Sequence, residues 1–421
     1  MRRRSYLYTS TAVAVGLPGC PALEDERTSA DLADVGGIDG DDGNGDDTDT
    51  DNPDDDTDPE HREVSIFDDG TVDFADPYAG VDWADVGRHK GQFHVHPHYG
   101  DIGPPQDVYD RYLELGYDLI NVQPKVDLDR EMPWPPEEMG ELHDDWESRH
   151  PAADGVVALP GVDYENPQHL VGLFTTLMRG DEGFIAPGGL ASPDVQYQTA
   201  REIIDAGSTP ESDVLEPLVF RGRPGRHRGG EFWDDEWDGE WLSHYDRLFD
   251  VDPVLGLEAI TYAFGYDDRD LWDHLLEAQT PRRPIIGTST DDAGDLENAD
   301  RGWVTFYLSD EEFDPSDQLS SMESIWQAFV GGRTSFSTVA EPGAEAPIIE
   351  AIDHDADAGS ITIDGADYDD LEWVSHGEVI ATGETLDYAD EGRVGDYVRA
   401  QLIEGDPADP TAITCTQAWH L

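Results

Sequence analysis

From Pro104 onward, short apolar runs alternate with helix-patterned stretches, and this alternation restricts the possible folds more than any other feature of the chain. In "PPQDVYDRYLELGYDLINV" the two prolines suit a first helical turn, Val108, Tyr112 and Leu115 fall on one face, and Gly116 supplies a stop. A strand is expected next, over Leu119–Val122. Further buried strands are expected at 156–159, 218–220, 257–261, 284–287 and 304–308, with helices at 194–206, 241–248, 270–278 and 321–330. Such alternation favours an α/β fold around a parallel sheet, open or closed. Past "EPGAEAP" the pattern changes. "SITIDG", "LEWVSHG", "EVIATGETL" and "DYVRAQLIE" are short strands punctuated by Gly and Asp, which predicts a small C-terminal β-sandwich. The globular part, about 350 residues, exceeds what one core usually spans, so 65–340 and 341–421 are expected to be two domains.

The segment ahead of residue 65 reads differently. Residues 24–60, with "DGDDGNGDDTDTDNPDDDTDPE" at their heart, lack any apolar pattern and cannot offset their ordering entropy. Residues 21–64 are therefore expected to be a disordered, self-repelling acidic linker. The start, "MRRRSYLYTSTAVAVGLPGC", has a basic head, a short apolar run and small residues before Cys20, the pattern of an export signal over 1–20. Arg3-Arg4-Ser5-Tyr6-Leu7 resembles a twin-arginine signal. Leu17-Pro18-Gly19-Cys20 resembles a lipoprotein box, which implies lipidation at Cys20 and an exported protein anchored at the cell surface. Removal of such a signal leaves Cys415 as the one thiol besides Cys20, so no disulfide within the body is expected.

The charge balance narrows the partners. Asp and Glu number 95 against 25 Lys and Arg, a net charge of −70. Only 18 of the acids lie in 24–63, so the acidity belongs to the folded part as well. Lys90 and Lys125 are the two lysines of the chain. This balance is similar to that of proteins from salt-loving archaea, where surface carboxylates hold water and their repulsion is screened. It excludes nucleic acid and anionic lipid as expected partners, and leaves the membrane only through the anchor.

Histidines concentrate in "QFHVHPHYGDIG". On a strand, His94, His96 and His98 would project to one side, and two imidazoles so placed can ligate one cation. Hydrogen-bonded structural histidines at a strand end are the plain alternative. The longer stretch "HKGQFHVHPHYGDIGPPQDVYDRYLELGYDLINV" resembles the opening of the polymerase-and-histidinol-phosphatase (PHP) family. "ALPGVDYENPQHLVGLF", "VFRGRPGRH", "FDVDPVLGLEAITY", "LWDHLLEAQTPRRPIIGTSTDDAG" and "SIWQAFVGGRTSFS" resemble its later pieces in the same order, from residue 85 to the end. The resemblance implies a distorted seven-stranded (β/α) barrel and hydrolysis of phosphate esters by metal-activated water. It places metal ligands at His94, His96, Asp163 and Asp292, and a further acid at Asp101.

The chain departs from the family pattern at several ligands. Gly100 replaces a serine, Gln123-Pro124-Lys125 replaces Thr-Asp-His, Arg223 replaces a histidine, and Gly294 replaces another. Lys125 and Arg223 would bring fixed positive charge where divalent ions usually sit, which disfavours a full set of metals. One divalent ion at most, Zn or Mn, is expected. Three readings follow: a reduced hydrolase in which Lys125 and Arg223 grip a small anionic or phosphorylated substrate; a catalytically inactive surface protein binding a small anion; or a buried salt-bridge network. His169 and Arg226 are further candidates for substrate contact, His98 is expected at the rim, and Glu258 is expected to be a structural acid at a strand end. "EFWDDEWDGEW" reads as a lid or rim loop.

Overall fold

The computed structural model describes residues 75–96, 105–122, 155–159, 161–164, 170–174, 217–227, 239–250, 254–261, 263–280, 282–293, 295–389 and 392–421. All of them fall within the compact unit Arg62–Leu421. The export signal, the linker, Cys20, the helix expected at 194–206 and residues 231–238 of the expected lid loop lie outside them, and the last three residues of that loop, 239–241, open a helix instead.

Four helices and nineteen strands occur among the described residues. The first strands are β1 (Val86–Val95), β2 (Leu119–Val122), β3 (Val157–Ala158), β4 (Gly161–Tyr164), β5 (Leu170–Leu173) and β6 (Leu218–Arg221). There follow β7 (Val254–Thr261), β8 (Tyr266–Asp267), β9 (Ile286–Thr290), β10 (Gly302–Ser309) and β11 (Thr334–Val339). The C-terminal strands are β12 (Ile348–Asp355), β13 (Ser360–Ala366), β14 (Asp370–Ser375), β15 (Glu378–Thr382), β16 (Thr385–Asp387), β17 (Tyr397–Asp406), β18 (Asp409–Thr416) and β19 (Trp419–His420). The helices are α1 (Pro105–Glu114), α2 (Gly239–Phe249), α3 (Arg269–Gln279) and α4 (Gln318–Val330).

The strands form three sheets. A ten-stranded sheet runs β15-β14-β17-β18-β11-β10-β1-β2-β3, with β19 on β17. It is antiparallel from β15 to β1 and parallel only across β1, β2 and β3. A six-stranded sheet runs β4-β5-β6-β7-β8, with β9 on β7; here β6, β7 and β9 are parallel and the other pairs antiparallel. The third sheet, β12-β13-β16, is antiparallel.

This arrangement corrects the expected barrel. The parallel strands split into two short runs in two different sheets, antiparallel pairs predominate, and no sheet closes on itself among the described residues. The misreading has a physical cause. Runs such as 257–261 and 304–308 are buried on both faces, and a fully buried run looks the same in sequence whether its neighbours run parallel or antiparallel. Residues 304–308 belong to β10, which is antiparallel to both its neighbours, β1 and β11. The short β4–β5 hairpin also carried no separate signal.

Packing follows from residue pattern. In α3, Leu271, Trp272, Leu275 and Leu276 make a buried stripe at helical spacing. With β6, β7, β9 and α4 they join a core that also takes in Phe93, Val304 and Phe306 of the larger sheet. Val108, Tyr109 and Tyr112 pack α1 over β2. The Gln318 side chain accepts from Ala158 N–H at 3.0 Å and donates to Val156 O at 2.9 Å, closing the outer edge of β3 as a further strand would. The third sheet alternates buried and open positions. Its Ile349, Ile352, Ile361, Ile363 and Leu386 face Leu371, Trp373, Val398, Ala400 and Leu402 of β14 and β17. β11 ends at Val339 and pairs with β18, so strands on the two sides of residue 340 are neighbours in one sheet. No described helix is long and apolar enough to cross a membrane.

Candidate metal centre

β1 carries His94 and leads directly into His96, and the strand is irregular just before its end. Gln92 lies opposite Ile120 and Val95 opposite Val122, so β1 has one residue more than β2 between them. Such a bulge turns side chains out of strict alternation. The backbone N–H groups of Phe93 and His94 donate instead to Gln92 Oε1, at 2.9 and 3.1 Å. The Gln92 amide nitrogen donates to Asp291 Oδ1 and, at 3.0 Å, to Gly302 O. A buried amide is thereby satisfied at every position it offers.

β7 is irregular as well. Glu258 lies opposite Thr288 and Ile260 opposite Ser289, which leaves β7 with an extra residue beside Glu258. The Glu258 carboxylate is buried and gathers several donors. His94 Nδ1 meets Oε1 at 2.5 Å, and because a carboxylate only accepts, the ring donates from Nδ1. Thr290 Oγ1 donates to Oε1 at 3.0 Å, Arg223 N–H to Oε2 at 2.9 Å and Thr261 Oγ1 to Oε2 at 3.3 Å. The bond at Nδ1 orients the His94 ring so that Nε2 faces Asp292, the placement that carboxylates behind metal-binding histidines impose.

Asp292, just after β9, completes the group. Its Oδ1 lies 3.8 Å from His94 Nε2 and 3.8 Å from His96 Nε2, too far for hydrogen bonds. The two imidazoles stand edge to face, with ring centroids 4.8 Å apart. The three ligand atoms fall within 4.8 Å of one another and all three residues are buried, so His94, His96 and Asp292 could hold a metal ion. Tetrahedral ligands at zinc distances stand about 3.3 Å apart, so inward shifts of only about half an ångström bring the donors to coordination. The donor set, two imidazoles and a carboxylate, suits several divalent ions and selects none.

Arg223 stands on the same carboxylate. Its Nη1 is ion-paired with Asp292 Oδ2, and both side chains are buried. Arg223 (φ 40°) and Asp292 (φ 39°) each adopt left-handed backbone, which L side chains resist. The turn Pro224–His227 holds Arg223 in place, and Gly225 N–H donates to the buried carboxylate of Asp268 at 2.7 Å. A Cβ on Gly225 would stand 2.6 Å from Asp268 Oδ1, so this approach requires glycine.

The adjacent acids have separate tasks. Asp291 turns away from the histidines and accepts from Gln92, from Tyr112 OH at 3.0 Å and from Asp300 N–H at 2.6 Å. Burial pushes its carboxyl up to about 7, against the lowering effect of the Asp300 and Tyr112 hydrogen bonds. Asp300 in turn takes Tyr117 OH at 3.0 Å and pairs with Lys90, whose ammonium lies 4.3 and 4.0 Å from the ring centroids of Tyr117 and Trp303. Burial lowers the Lys90 pKa, against the raising effect of Asp300.

Of the residues expected at the site, His94, His96, Arg223 and Asp292 are brought together, from the end of β1 and the residue after it, the segment after β6 and the segment after β9. Glu258, expected as a structural acid, is bonded directly to His94. Gln92 was missed, although it shares the spacing of the histidines in "QFHVH"; an amide does not read as a ligand. Asp163 lies on β4 with its backbone opposite Val171, and Arg226 lies in the Pro224–His227 turn. Asp101, Lys125, His98 and His169 lie outside the described residues.

No family model and no curated protein matches this chain. Among solved structures, the crystal structure of PsfC from Pseudomonas syringae PB-5123 matches at 13% sequence identity and a TM-score of 0.31. The match covers 57% of this chain and 98% of that one. A likeness at that score carries no argument about fold or activity.

Proposed function

We propose that the protein is a metal-dependent phosphoesterase-like hydrolase with a reduced, single-ion centre, related in its sequence motifs to the PHP family. The observation that carries this reading is the convergence of His94, His96 and Asp292 in a buried site where Glu258 orients the His94 ring. Zinc or manganese is the ion proposed. When bound, such an ion supplies Lewis acidity: it draws charge from a phosphoryl oxygen and acidifies a coordinated water.

The chain's own groups have the remaining tasks. His94 and His96 offer neutral nitrogen donors, and Glu258 holds the proton of His94 on Nδ1, away from the ion. Asp292 offers a carboxylate oxygen, while Arg223 brings positive charge complementary to the oxygens of a small phosphorylated substrate. Burial excludes bulk water and strengthens these interactions. Lys125, His169 and Arg226 are proposed to contact the same substrate, and Asp101 to assist at the ion. An exported, Cys20-anchored protein at the cell surface, with no nucleic-acid partner, completes the proposal.

The test is elemental analysis of protein purified in high salt, together with a phosphomonoester assay with added Zn²⁺ or Mn²⁺. Stoichiometric metal, and turnover that disappears in His94→Ala and His96→Ala, is the expected outcome. Absence of both metal and turnover overturns it. The Arg223–Asp292 ion pair favours a second reading, a catalytically inactive protein that binds a small anion; anion binding by metal-free protein would select it.

A further inference from the structure

We infer that Arg223 is a built-in competitor for the cation: it shares the Asp292 carboxylate with the metal position and sets that position to weak, exchangeable binding. The inference rests on the cation site proposed above. Three groups meet on one carboxylate. Oδ1 lies 3.8 Å from the Nε2 atoms of His94 and His96, and Oδ2 is ion-paired with the Arg223 guanidinium. An arginine does not lose its proton in a protein, so the positive charge beside the site is permanent.

Its placement is built rather than incidental. Glu258 accepts the Arg223 N–H at 2.9 Å and Asp268 accepts the Gly225 N–H at 2.7 Å, so two buried carboxylates fix the turn from either side. Both partners of the ion pair keep left-handed backbone, with φ 40° at Arg223 and 39° at Asp292. Such conformations persist only where the surroundings over-determine them. A cation on His94, His96 and Asp292 Oδ1 is one carboxylate away from the guanidinium. The two charges repel, and the guanidinium competes for the carboxylate's electron density. Both effects weaken cation binding, by a factor on the order of ten or more at the separation one carboxylate imposes. A merely structural arginine would act in the opposite sense, since its loss would loosen the ligands and lower affinity.

The experiment compares full-length wild type with Arg223→Met, Arg223→Gln and Arg223→Lys in Zn²⁺ and Mn²⁺ titrations in high salt. Free metal is set by a chelating buffer, and folding is checked by circular dichroism. The expected result is cation binding about tenfold tighter or more in Arg223→Met, with Arg223→Lys close to wild type. Arg223→Gln removes the charge but can still hydrogen-bond Asp292, and serves the same comparison if the methionine variant does not fold. Equal or weaker binding in the uncharged variants overturns the inference, as does tightening in Arg223→Lys equal to theirs. Wild type without metal beside a variant that binds it would support the inference and remove the hydrolase reading. Metal binding in neither would end both.

Discussion

Replacing Glu258 by glutamine separates the positioning role of this carboxylate from its part in the core. Oε1 serves His94 Nδ1 at 2.5 Å and Thr290 Oγ1 at 3.0 Å, while Oε2 serves Arg223 N–H at 2.9 Å and Thr261 Oγ1 at 3.3 Å. Glutamine can keep an oxygen on the first pair, but its NH2 group then faces the second. Thr261 can rotate to accept from that group; the Arg223 N–H cannot. One buried donor loses its partner, at a cost of about 1–3 kcal/mol. The bond to His94 loses its charge assistance, about half its strength, which adds about 1 kcal/mol. Stability should fall by about 2–4 kcal/mol in denaturant unfolding of the metal-free protein. Zn²⁺ affinity of the folded variant should fall ten- to a hundredfold, the usual effect of removing a carboxylate behind a ligating histidine. Both are read on one sample, by chemical denaturation and by titration against a competing chelator. A variant destabilised as expected, yet with Zn²⁺ affinity within threefold of wild type, would refute the positioning role.

Three other perturbations follow from the structure. Arg399 forms a buried two-point pair with Asp273, Nε–Oδ1 at 2.7 Å and Nη2–Oδ2 at 2.8 Å; Arg399→Met should destabilise by about 3–5 kcal/mol, and pairing it with Asp273→Leu should recover most of the loss in unfolding measurements. Gly225→Ala pushes a methyl group to within 2.6 Å of Asp268 Oδ1 and should cost about 1–3 kcal/mol by the same assay. Burial lowers the His420 pKa to about 4, so on acidification the unfolded chain takes up a proton near pH 6.5 while the folded chain does so only near pH 4. Stability is therefore lost between those values, by about 3 kcal/mol, and His420→Gln should flatten the profile of unfolding free energy against pH by that amount. An unchanged profile would show that His420 does not titrate differently in the two states.

How much of this was legible depended on what each signal reports. Every strand expected between residues 119 and 308 lies on or beside an observed one, because buried β-rich runs declare themselves; their partners do not. Alternation with helices pointed to a parallel sheet and the family resemblance implied its closure into a barrel, yet β10 pairs antiparallel with β1 and β11, and β5 antiparallel with β4 and β6. Direction is set by connections and long-range packing, which composition does not encode. At the site, His94, His96 and Asp292 were legible as donor types, and Arg223 as an unexpected charge. The split between Asp291 and Asp292 was not. It depends on the left-handed backbone at Asp292, φ 39°, which points neighbouring carboxylates to different partners. Gln92 acts through its amide on the backbone of Phe93 and His94, a role with no motif.

The two bulges show why the His-x-His spacing alone could not have located the centre. A one-residue shift reverses the side chains of a regular strand, so the extra residue in β1 between Gln92 and Val95 changes where the histidines point. The extra residue in β7 beside Glu258 does the same for the carboxylate that receives His94. Removing either bulge alone would turn one partner away from the other. The donors therefore converge because two irregularities, in strands of two different sheets, occur in phase. Gln92 stabilises the first by accepting the Phe93 and His94 N–H groups. The second is stabilised by Asp268, whose N–H donates to Ala259 O at 2.7 Å while its carboxylate holds the turn after Arg223. Asp268 thus couples the bulge that aims Glu258 to the turn that aims Arg223, and the geometry of the candidate cation site is fixed by residues other than the three that could hold an ion.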